Sequence, residues 1–520
     1  MFSLENLLPG LILIAAFIAR IIPASRLFLD PDEALHNLLA SQATVGRAWA
    51  AALTNAHPPL LILVLYFWRG LGQSELWLRL PSVLAGTAAC WLVYLWLRLV
   101  VDRATALIGL LMFSFAPSLI LLSAQVRQYA LLLFFMVGCL YLAERAVQKN
   151  SVGTMVLFSL SLYGALLTHY SALIFAATMG VYMLVRLSPF SERAALISVW
   201  AAGQVGGIGI AVYFLVTHIL RLRQTGMVSA DLETYLRKAT FHPGERNVME
   251  FIAAQTLRVF TYVFSHGLVG SLALLAFLAG LFSLLKRNAS SDREEHAERP
   301  TRRELALLLG VPFLLTWGVA LTGVYPFGAT RHDSFLAPFA IAGASIGIAA
   351  RTPIRNSIKY AGLVLCLAVC SFFPAPPPPM RAKNQLNARM TDAVTYLRAS
   401  VPRGSVVLTD YESGLLLGYY FCGHGVVQVF PPLEPMAKAS CGDYAVLATS
   451  FRDWKFTADT FPGELDLAKK MAGPGMEIWL VYAGWINDSA PAMRKELAGL
   501  GCAAPGNFGE NILVCRLAVK

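Results

Sequence analysis

Between Leu7 and Pro374 the sequence returns repeatedly to apolar runs long enough to cross the roughly 30 Å hydrocarbon core of a bilayer as helices. Lipid offers the backbone no water to bond with, so such runs fold as helices that satisfy their own amides. The composition agrees. Of 520 residues, 57% are hydrophobic and 14% charged, with a mean hydropathy of +0.59. A soluble chain of this size is about 25% charged. The net charge of +11 is explained by basic cytoplasmic loops and anionic headgroups. No basic patch interleaved with exposed aromatics stands out, so no nucleic-acid partner is expected. Glu5 is the first run's only charge before Arg20. Without a positive leader, that run reads as a retained first helix and not as a cleaved signal.

Charge then orders the crossings. Basic residues gather at Arg98/Arg103, Arg145/Lys149, Arg186/Arg193, Lys286 to Arg303 and Arg351/Arg355/Lys359. The positive-inside rule assigns all of these to the cytoplasm. Alternation holds for helices over 8–23, 79–98, 104–123, 128–144, 153–168, 170–187, 195–217, 266–286, 304–323, 334–350 and 360–374, about eleven in all. "HPPLLILVLYFWRGLG" (57–72) is too short to span and is expected along the outer membrane face. Residues 24–78 thereby become one external loop. Arg20 and Arg26 fall on the outer side of the first helix, against the rule. The stretch 218–265 reads either as surface helices over the site or as a solvated connector. "NASSDREEHAERPTRR" (288–303) reads as a solvated cytoplasmic loop.

The chain divides by composition. Residues 1–374 form the transmembrane domain. "PAPPPP" (374–379) opens a proline-rich linker, 375–385. Residues 386–520 read as a small periplasmic α/β domain. In it "MTDAVTYLRAS" and "PAMRKELAGLG" are helical, and "SVVLTD", "YAVLATS" and "EIWLVYAG" are strands. Four of the eight cysteines, Cys90, Cys139, Cys366 and Cys370, lie in apolar runs as small buried side chains. Cys422, Cys441, Cys502 and Cys515 suit two disulfides in an oxidising compartment. Cys422–Cys441 with Cys502–Cys515 is one of three possible pairings. No zinc-type or redox cysteine spacing is present.

The densest acidic cluster is "FLDPDEALHN" (28–37). Asp30 can cap a helix, Pro31 can take its first position, and Glu33 can close a capping box. Asp32 has no required part in that cap. It projects from a first helical turn, whose dipole favours a carboxylate, and suits a general base acting on a hydroxyl. Asp30 and Asp32 together could also hold a divalent cation through oxygen ligands.

The remaining outward groups are His57, Arg79, Arg127, Tyr129, His169, Tyr170, Arg331 and His332. Singly, a cation at a bilayer edge often only snorkels. Collected on one face beside an acidic loop, they fit a phosphorylated ligand at membrane level, hence a lipid phosphate.

On these residues the chain resembles the C-type integral-membrane glycosyltransferases. The branch it is most similar to includes bacterial protein O-mannosyltransferase-like enzymes and the aminoarabinose and galacturonic acid transferases of lipopolysaccharide. The matching elements are Asp32–Glu33 after the first helix, "HPPL" (57–60), "RLPS" (79–82), "R-x-Y-A" (127–130), "THY" (168–170) and "TRH" (330–332). They cover most of residues 1–350. The chain departs at Gln125, where that branch commonly carries a carboxylate paired with its arginine. The resemblance implies an inverting transferase of the bacterial cytoplasmic membrane with a cytoplasmic N-terminus. It implies a polyprenyl-phosphate-linked sugar as donor, and a glycan, lipid or protein hydroxyl as acceptor. Asp32 would be the base, Glu33 its positioning partner, and the arginines and histidines would hold the phosphate. No cofactor is required, and a divalent metal is optional.

Two other classes compete. A lipid-linked glycan transporter or flippase predicts inverted repeats and broken helices at mid-membrane. No internal repeat is visible, and the charges lie at helix ends. An O-antigen polymerase or ligase predicts a large external loop late in the membrane region, whereas the long loops here are the first and the middle ones.

Overall fold

The structure, a computed structural model, describes residues 4–188, 193–224, 232–233, 235–286, 299–351, 360, 362–368, 387–422, 436–449, 456, 461–472, 477–483, 508 and 512–517. The chain forms two compact units. One takes Met1–Pro23, Leu53–Leu61 and Arg79–Pro377; the other takes Ala24–Ala52, Ile62–Leu78 and Pro378–Lys520.

The helices of the amino-terminal part are α1 (Leu4–Arg26), α2 (Pro31–Ala40), α3 (Val45–Ala52), α4 (Leu60–Trp68), α5 (Glu75–Val100), α6 (Arg103–Phe115), α7 (Pro117–Ser123), α8 (Tyr129–Lys149), α9 (Val152–Leu166) and α10 (Ala172–Arg186). Next, α11 (Ala194–Phe214) continues through a π-helical turn, Leu215–Ile219, to Gln224. Then come α12 (Val248–Phe264), α13 (Gly267–Lys286), α14 (Arg302–Ala320) and α15 (Ala337–Arg351). Among the described residues, seven helices are long and apolar enough to cross a membrane, or eight if α6 and α7 form one bent span. The chain is a multi-pass α-helical membrane protein. The 15-residue α9 and α10 are shorter, and of the expected 360–374 helix only 360 and 362–368 are helical among the described residues. Length alone therefore does not establish eleven crossings. As expected, α4 is too short to span: its 9 residues cover about 14 Å.

Pro117 breaks the expected 104–123 helix. Pro117 has no N–H and opens α7, so α6 and α7 meet at 60°. The Phe113 and Ser114 carbonyls are satisfied from α1. The Arg20 guanidinium donates to Ser114 O at 2.9 Å, Phe113 O at 3.3 Å, Ala16 O at 3.0 Å and Ser123 Oγ at 3.3 Å. Arg20 is completely buried, so its breach of the positive-inside rule has a cause. It is an internal donor for a broken helix, not a surface charge.

A second buried ionic group holds α8 to α10. Glu144 accepts from Arg186 Nε and Nη2 at 3.3 Å and from the Tyr182 hydroxyl. Arg186, expected among the solvated cytoplasmic charges, is thus buried and paired. Helices α13 and α15 pack closest through small residues. A Cβ on Gly280 would lie 2.1 Å from Gly343 O, and one on Gly347 would lie 1.9 Å from Ala276 O. Gly343 and Gly347 form the G-x-x-x-G spacing that lets backbones touch in lipid. Within 218–265, α12 buries Phe251, Val259, Phe260 and Phe264 in the core. Over 248–264 that excludes a solvated connector; 225–231 and 234 lie outside the described residues. Of the 288–303 loop, only 299–303 lies among the described residues.

In the second unit, α16 (Asn387–Ser400), β1 (Val406–Thr409), α17 (Tyr411–Tyr420), β2 (Met436–Cys441), β3 (Tyr444–Thr449), α18 (Phe461–Ala472), β4 (Ile478–Ala483) and β5 (Ile512–Leu517) build an α/β fold. The sheet order is β2-β3-β1-β4-β5. Strand β1 runs parallel to β3 and β4, and β2 and β5 are antiparallel edges. The continuous apolar pattern of β1 and β4 is that of strands covered on both faces. Cys422 and Cys441 form a disulfide. Cys515 is also disulfide-bonded; its expected partner Cys502, like the 375–385 linker and the 491–501 helix, lies outside the described residues.

Arg20→Met, which keeps the apolar stem and removes the donors, is expected to lower the stability of the detergent-purified chain by about 2–4 kcal/mol, read as a drop in Tm. An unchanged Tm would show that the α6–α7 break does not depend on Arg20.

Candidate active site

In the first unit the polar motifs converge at helix ends. "HPPL" begins α4, and its Leu60 N–H donates to Leu167 O at 3.0 Å. Arg127 and Gln128 form the turn before α8, and Tyr129 opens that helix. Thr168–Ser171 is the turn between α9 and α10. Arg331–Leu336 is a 3-10 turn leading into α15. Their rings meet. His57 stacks on His169 with centroids 5.1 Å apart, and His332 lies 5.8 Å from His169 and 6.5 Å from His57. The Tyr129 ring lies 5.4 Å from His169 and 6.5 and 6.4 Å from His57 and His332. Arg127 sits over Tyr129 at 5.8 Å. Ser82 of "RLPS" donates to Arg127 O at 3.2 Å, and Arg79, one turn earlier on α5, is buried.

The charge state of the centre follows from its neighbours. Burial first, then the charges of Arg127 and Arg331, push the His169 pKa down to about 3. His169 is therefore a neutral imidazole at ordinary pH. The Ser171 N–H donates to His169 Nδ1 at 3.1 Å, so the ring hydrogen sits on Nε2. The centre thus combines two guanidinium charges with an uncharged histidine donor, and it contains buried polar groups without an internal partner. The Tyr129 hydroxyl, both ends of the Gln128 amide, Asp333 Oδ1 and Ser334 Oγ have no hydrogen-bond partner among the described residues. Buried polar atoms carry a desolvation cost unless something bonds them. An anionic, oxygen-rich ligand would satisfy the donors among them.

Three contributors to this centre were not identified from sequence. Asp333 Oδ2 accepts from Gly328 N and Thr330 Oγ1, both at 2.8 Å, and so shapes the turn carrying Arg331 and His332. Tyr325 donates to His332 O at 3.0 Å. His218, in the π-helical turn of α11, shares a short hydrogen bond with the Tyr170 hydroxyl and donates Nε2–H to Asn55 O at 2.7 Å. Asn55 is two residues before His57. Tyr170 is therefore committed to holding the "HPPL" approach through His218. Burial raises its phenol pKa further. Single-turn π-bulges are frequent at functional sites, but a break of one residue in helical register leaves no mark in an apolar run.

The acidic turn belongs to the second unit. Asp30 Oδ1 accepts from Glu33 N at 3.0 Å, and Glu33 Oε2 accepts from Asp30 N at 2.9 Å, which completes the expected capping box of α2. Glu33 is buried in that role, and Asp32 is half-buried on the first turn, outside the box. Among the described residues no three His, Cys, Asp or Glu side chains converge as metal ligands.

Residues 56–225 match the family model described as dolichyl-phosphate-mannose-protein mannosyltransferase. In fold, the chain is similar to ArnT from Cupriavidus metallidurans bound to undecaprenyl phosphate. That TM-score is 0.50, at 14% identity, covering 98% of this chain and 97% of ArnT. It is also similar to the oligosaccharyltransferase of Archaeoglobus fulgidus in complex with Zn and sulfate. That TM-score is 0.51, at 13% identity, covering 91% of this chain and 67% of the other. No curated protein matches the chain in sequence.

Because His169 is neutral when folded and has a usual pKa near 6.5 when unfolded, the unfolded state binds the extra proton between those values. Stability is full above about pH 6.5 and falls as pH drops toward 3. His169→Gln is expected to flatten part of the loss in Tm between pH 7 and pH 5, measured in detergent. A loss identical to wild type would remove His169 as its source.

Proposed function

We propose that this chain, a member of the C-type integral-membrane glycosyltransferase superfamily, is a lipid-linked-donor transferase. It moves one sugar, with inversion, from a polyprenyl-phosphate carrier to an acceptor hydroxyl at the outer face of the bacterial cytoplasmic membrane. In this reading the N-terminus is cytoplasmic and the carboxyl-terminal α/β part is periplasmic. The acceptor is a glycan, lipid or protein.

The observation that carries the reading is the Arg127, Arg331, His57, His169, His332 and Tyr129 cluster. A phosphodiester carrying a lipid and a sugar has one negative charge. When the anomeric carbon–oxygen bond breaks, the polyprenyl phosphate leaves with a second. Fixed cations and N–H or O–H donors aimed at that developing charge lower the barrier more than a strong acid would, because phosphate is already a good leaving group. Arg79, Arg127 and Arg331 supply charge; Tyr129 and neutral His169 supply donors that cost no proton transfer.

At the other end of the reaction the acceptor oxygen forms the new bond to the anomeric carbon, and its proton passes to Asp32. Asp32 stands outside the capping box that Asp30 and Glu33 form, and is the carboxylate assigned this role. The proton transfer itself needs no divalent cation at Asp30 and Asp32. The broken α6–α7 pair is a feature that would favour transport. Its freed Phe113 and Ser114 carbonyls are taken by Arg20 and not left open to a substrate.

Purified wild type, Asp32→Asn and Arg127→Ala should be supplied with radiolabelled polyprenyl-phosphate sugars and membrane extract, and label leaving the lipid followed. Wild type is expected to transfer from one donor. Asp32→Asn should lose about 10²–10⁴-fold with wild-type expression and Tm, and Arg127→Ala about 10²–10³-fold. Equal transfer by Asp32→Asn would exclude that carboxylate as the base. No transfer by intact wild type from any donor would favour transport.

A further inference from the structure

The acidic turn is built against the carboxyl-terminal fold, almost 400 residues away in sequence. Helix α2 packs on α17, and the approach is close: a Cβ on Gly418 would lie 3.2 Å from Leu38 Cδ1. At the end of α17 the Tyr420 hydroxyl accepts from Leu29 N at 2.7 Å and shares a short hydrogen bond with Glu75 Oε1. Leu29 directly precedes Asp30, the cap of α2. Glu75 opens α5. Next to it, the Tyr419 hydroxyl donates to Gln73 O at 2.8 Å. One helix of the α/β fold therefore ties down both the entry to the acidic turn and the segment preceding α5.

Helix α17 is suited to this because both its ends are fixed. Asp410 caps it by accepting from Ser413 N at 2.8 Å. Tyr411 N donates to Thr449 Oγ1 at 3.0 Å, and Ser413 Oγ accepts from Ala483 N at 2.8 Å. These contacts join its first turn to the ends of the neighbouring strands β3 and β4. At its other end Arg398 donates to Tyr420 O and Phe421 O at 3.2 and 3.3 Å, and Cys422 is disulfide-bonded to Cys441. The first turns of α17 and α2 also lie within electrostatic reach of each other. Burial first, then the charge of Asp32, raise the Tyr411 phenol.

We infer that Tyr420 is a positioning residue for the transfer reaction: through its hydroxyl, the rigid end of α17 fixes Leu29 and hence the Asp30–Glu33 turn that presents Asp32. This rests on the reading of Asp32 as the base. The carboxyl-terminal fold is then part of the catalytic apparatus, and the acidic turn owes its geometry to it. A neutral backbone amide and a carboxylate meet on one phenol. Phenylalanine at this position keeps the ring and removes both bonds.

The test uses the full chain in detergent, with Tyr420→Phe, Asp32→Asn and Gly418→Leu beside wild type. Two quantities are measured: amide hydrogen exchange across residues 29–40, and kcat and KM for the labelled lipid donor. Tyr420→Phe is expected to speed exchange at Leu29–Glu33 and lower kcat, each by about tenfold, while donor KM stays within about twofold. Gly418→Leu, which wedges α2 from α17 without touching the hydroxyl, is expected to act in the same direction. Unchanged exchange in Tyr420→Phe overturns the inference whatever the kinetics. Faster exchange with unchanged kcat also overturns it, since the turn would then move without consequence for transfer. Asp32→Asn separates the two failures. If that variant transfers like wild type, the base assignment falls and this inference falls with it. If it is inactive while Tyr420→Phe matches wild type, only the role of Tyr420 is lost.

Discussion

An unpaired peptide group in hydrocarbon costs several kcal/mol, and that constraint governs the membrane unit. Wherever a helix deviates, a side chain must supply what the backbone lost. At the α6–α7 break the missing N–H of Pro117 leaves carbonyls that Arg20 satisfies from another helix. At the π-helical turn of α11 the register slip presents His218 to both Tyr170 and Asn55. At the turn before α15, Asp333 collects Gly328 N and the Thr330 hydroxyl. These repairs fix loop geometry firmly, because releasing any of them would expose polar groups to an apolar surrounding. They also account for where the chemistry sits: helix ends are the places where this chain can hold arginine, histidine and tyrosine side chains in one orientation.

The same economy explains the protonation state of the centre. Burial of the imidazole first, and then the two arginines beside it, make a further positive charge there unfavourable, so His169 stays neutral. Neutral His169 still offers a directed hydrogen, because Ser171 N occupies its other nitrogen. A phosphate meeting this centre would find charge from the guanidinium groups and direction from the imidazole and phenol. These roles do not interfere, since none requires a proton to move. Proton transfer is assigned elsewhere, to a carboxylate on a first helical turn.

Much of the architecture was legible because its causes are local. Apolar runs announce helices, and "DPDE" announces a capped helix start, since the box needs only four consecutive residues. The short motifs around His57, Tyr129, His169 and His332 name residues that the structure brings into ring contact. What was not legible depends on pairings far apart in sequence. Arg20 looked like a topological error until its carbonyl partners, 93 and 94 residues later, were seen. Arg186 looked like a cytoplasmic charge because nothing in its neighbourhood names Glu144, 42 residues earlier. Pro117 was present in the 104–123 run, but hydropathy alone passes over a residue that removes a single N–H. The 218–265 stretch reads two ways because its basic segments before residue 248 suggest solvent, whereas α12 beyond them turns Phe251 and Phe260 to the core.

The acidic turn carries this argument furthest. Leu29 and Tyr420 are separated by 391 residues, so closing that contact must wait for nearly the whole chain to be made and for the α/β sheet to order. Until then Asp30 can cap α2 locally, but the approach to the turn through Leu29 has no fixed partner. A transferase whose base is held this way cannot assemble its proton acceptor from the membrane helices alone. On the proposed reading, in which the donor is a reactive lipid-linked sugar, that dependence is chemically sensible. Cations that bind a phosphate do no harm before the rest of the site exists. A carboxylate free to activate any nearby hydroxyl, water included, would waste the donor by hydrolysis. Tying the turn to α17 makes its geometry depend on the carboxyl-terminal fold and links it to a disulfide-stabilised helix.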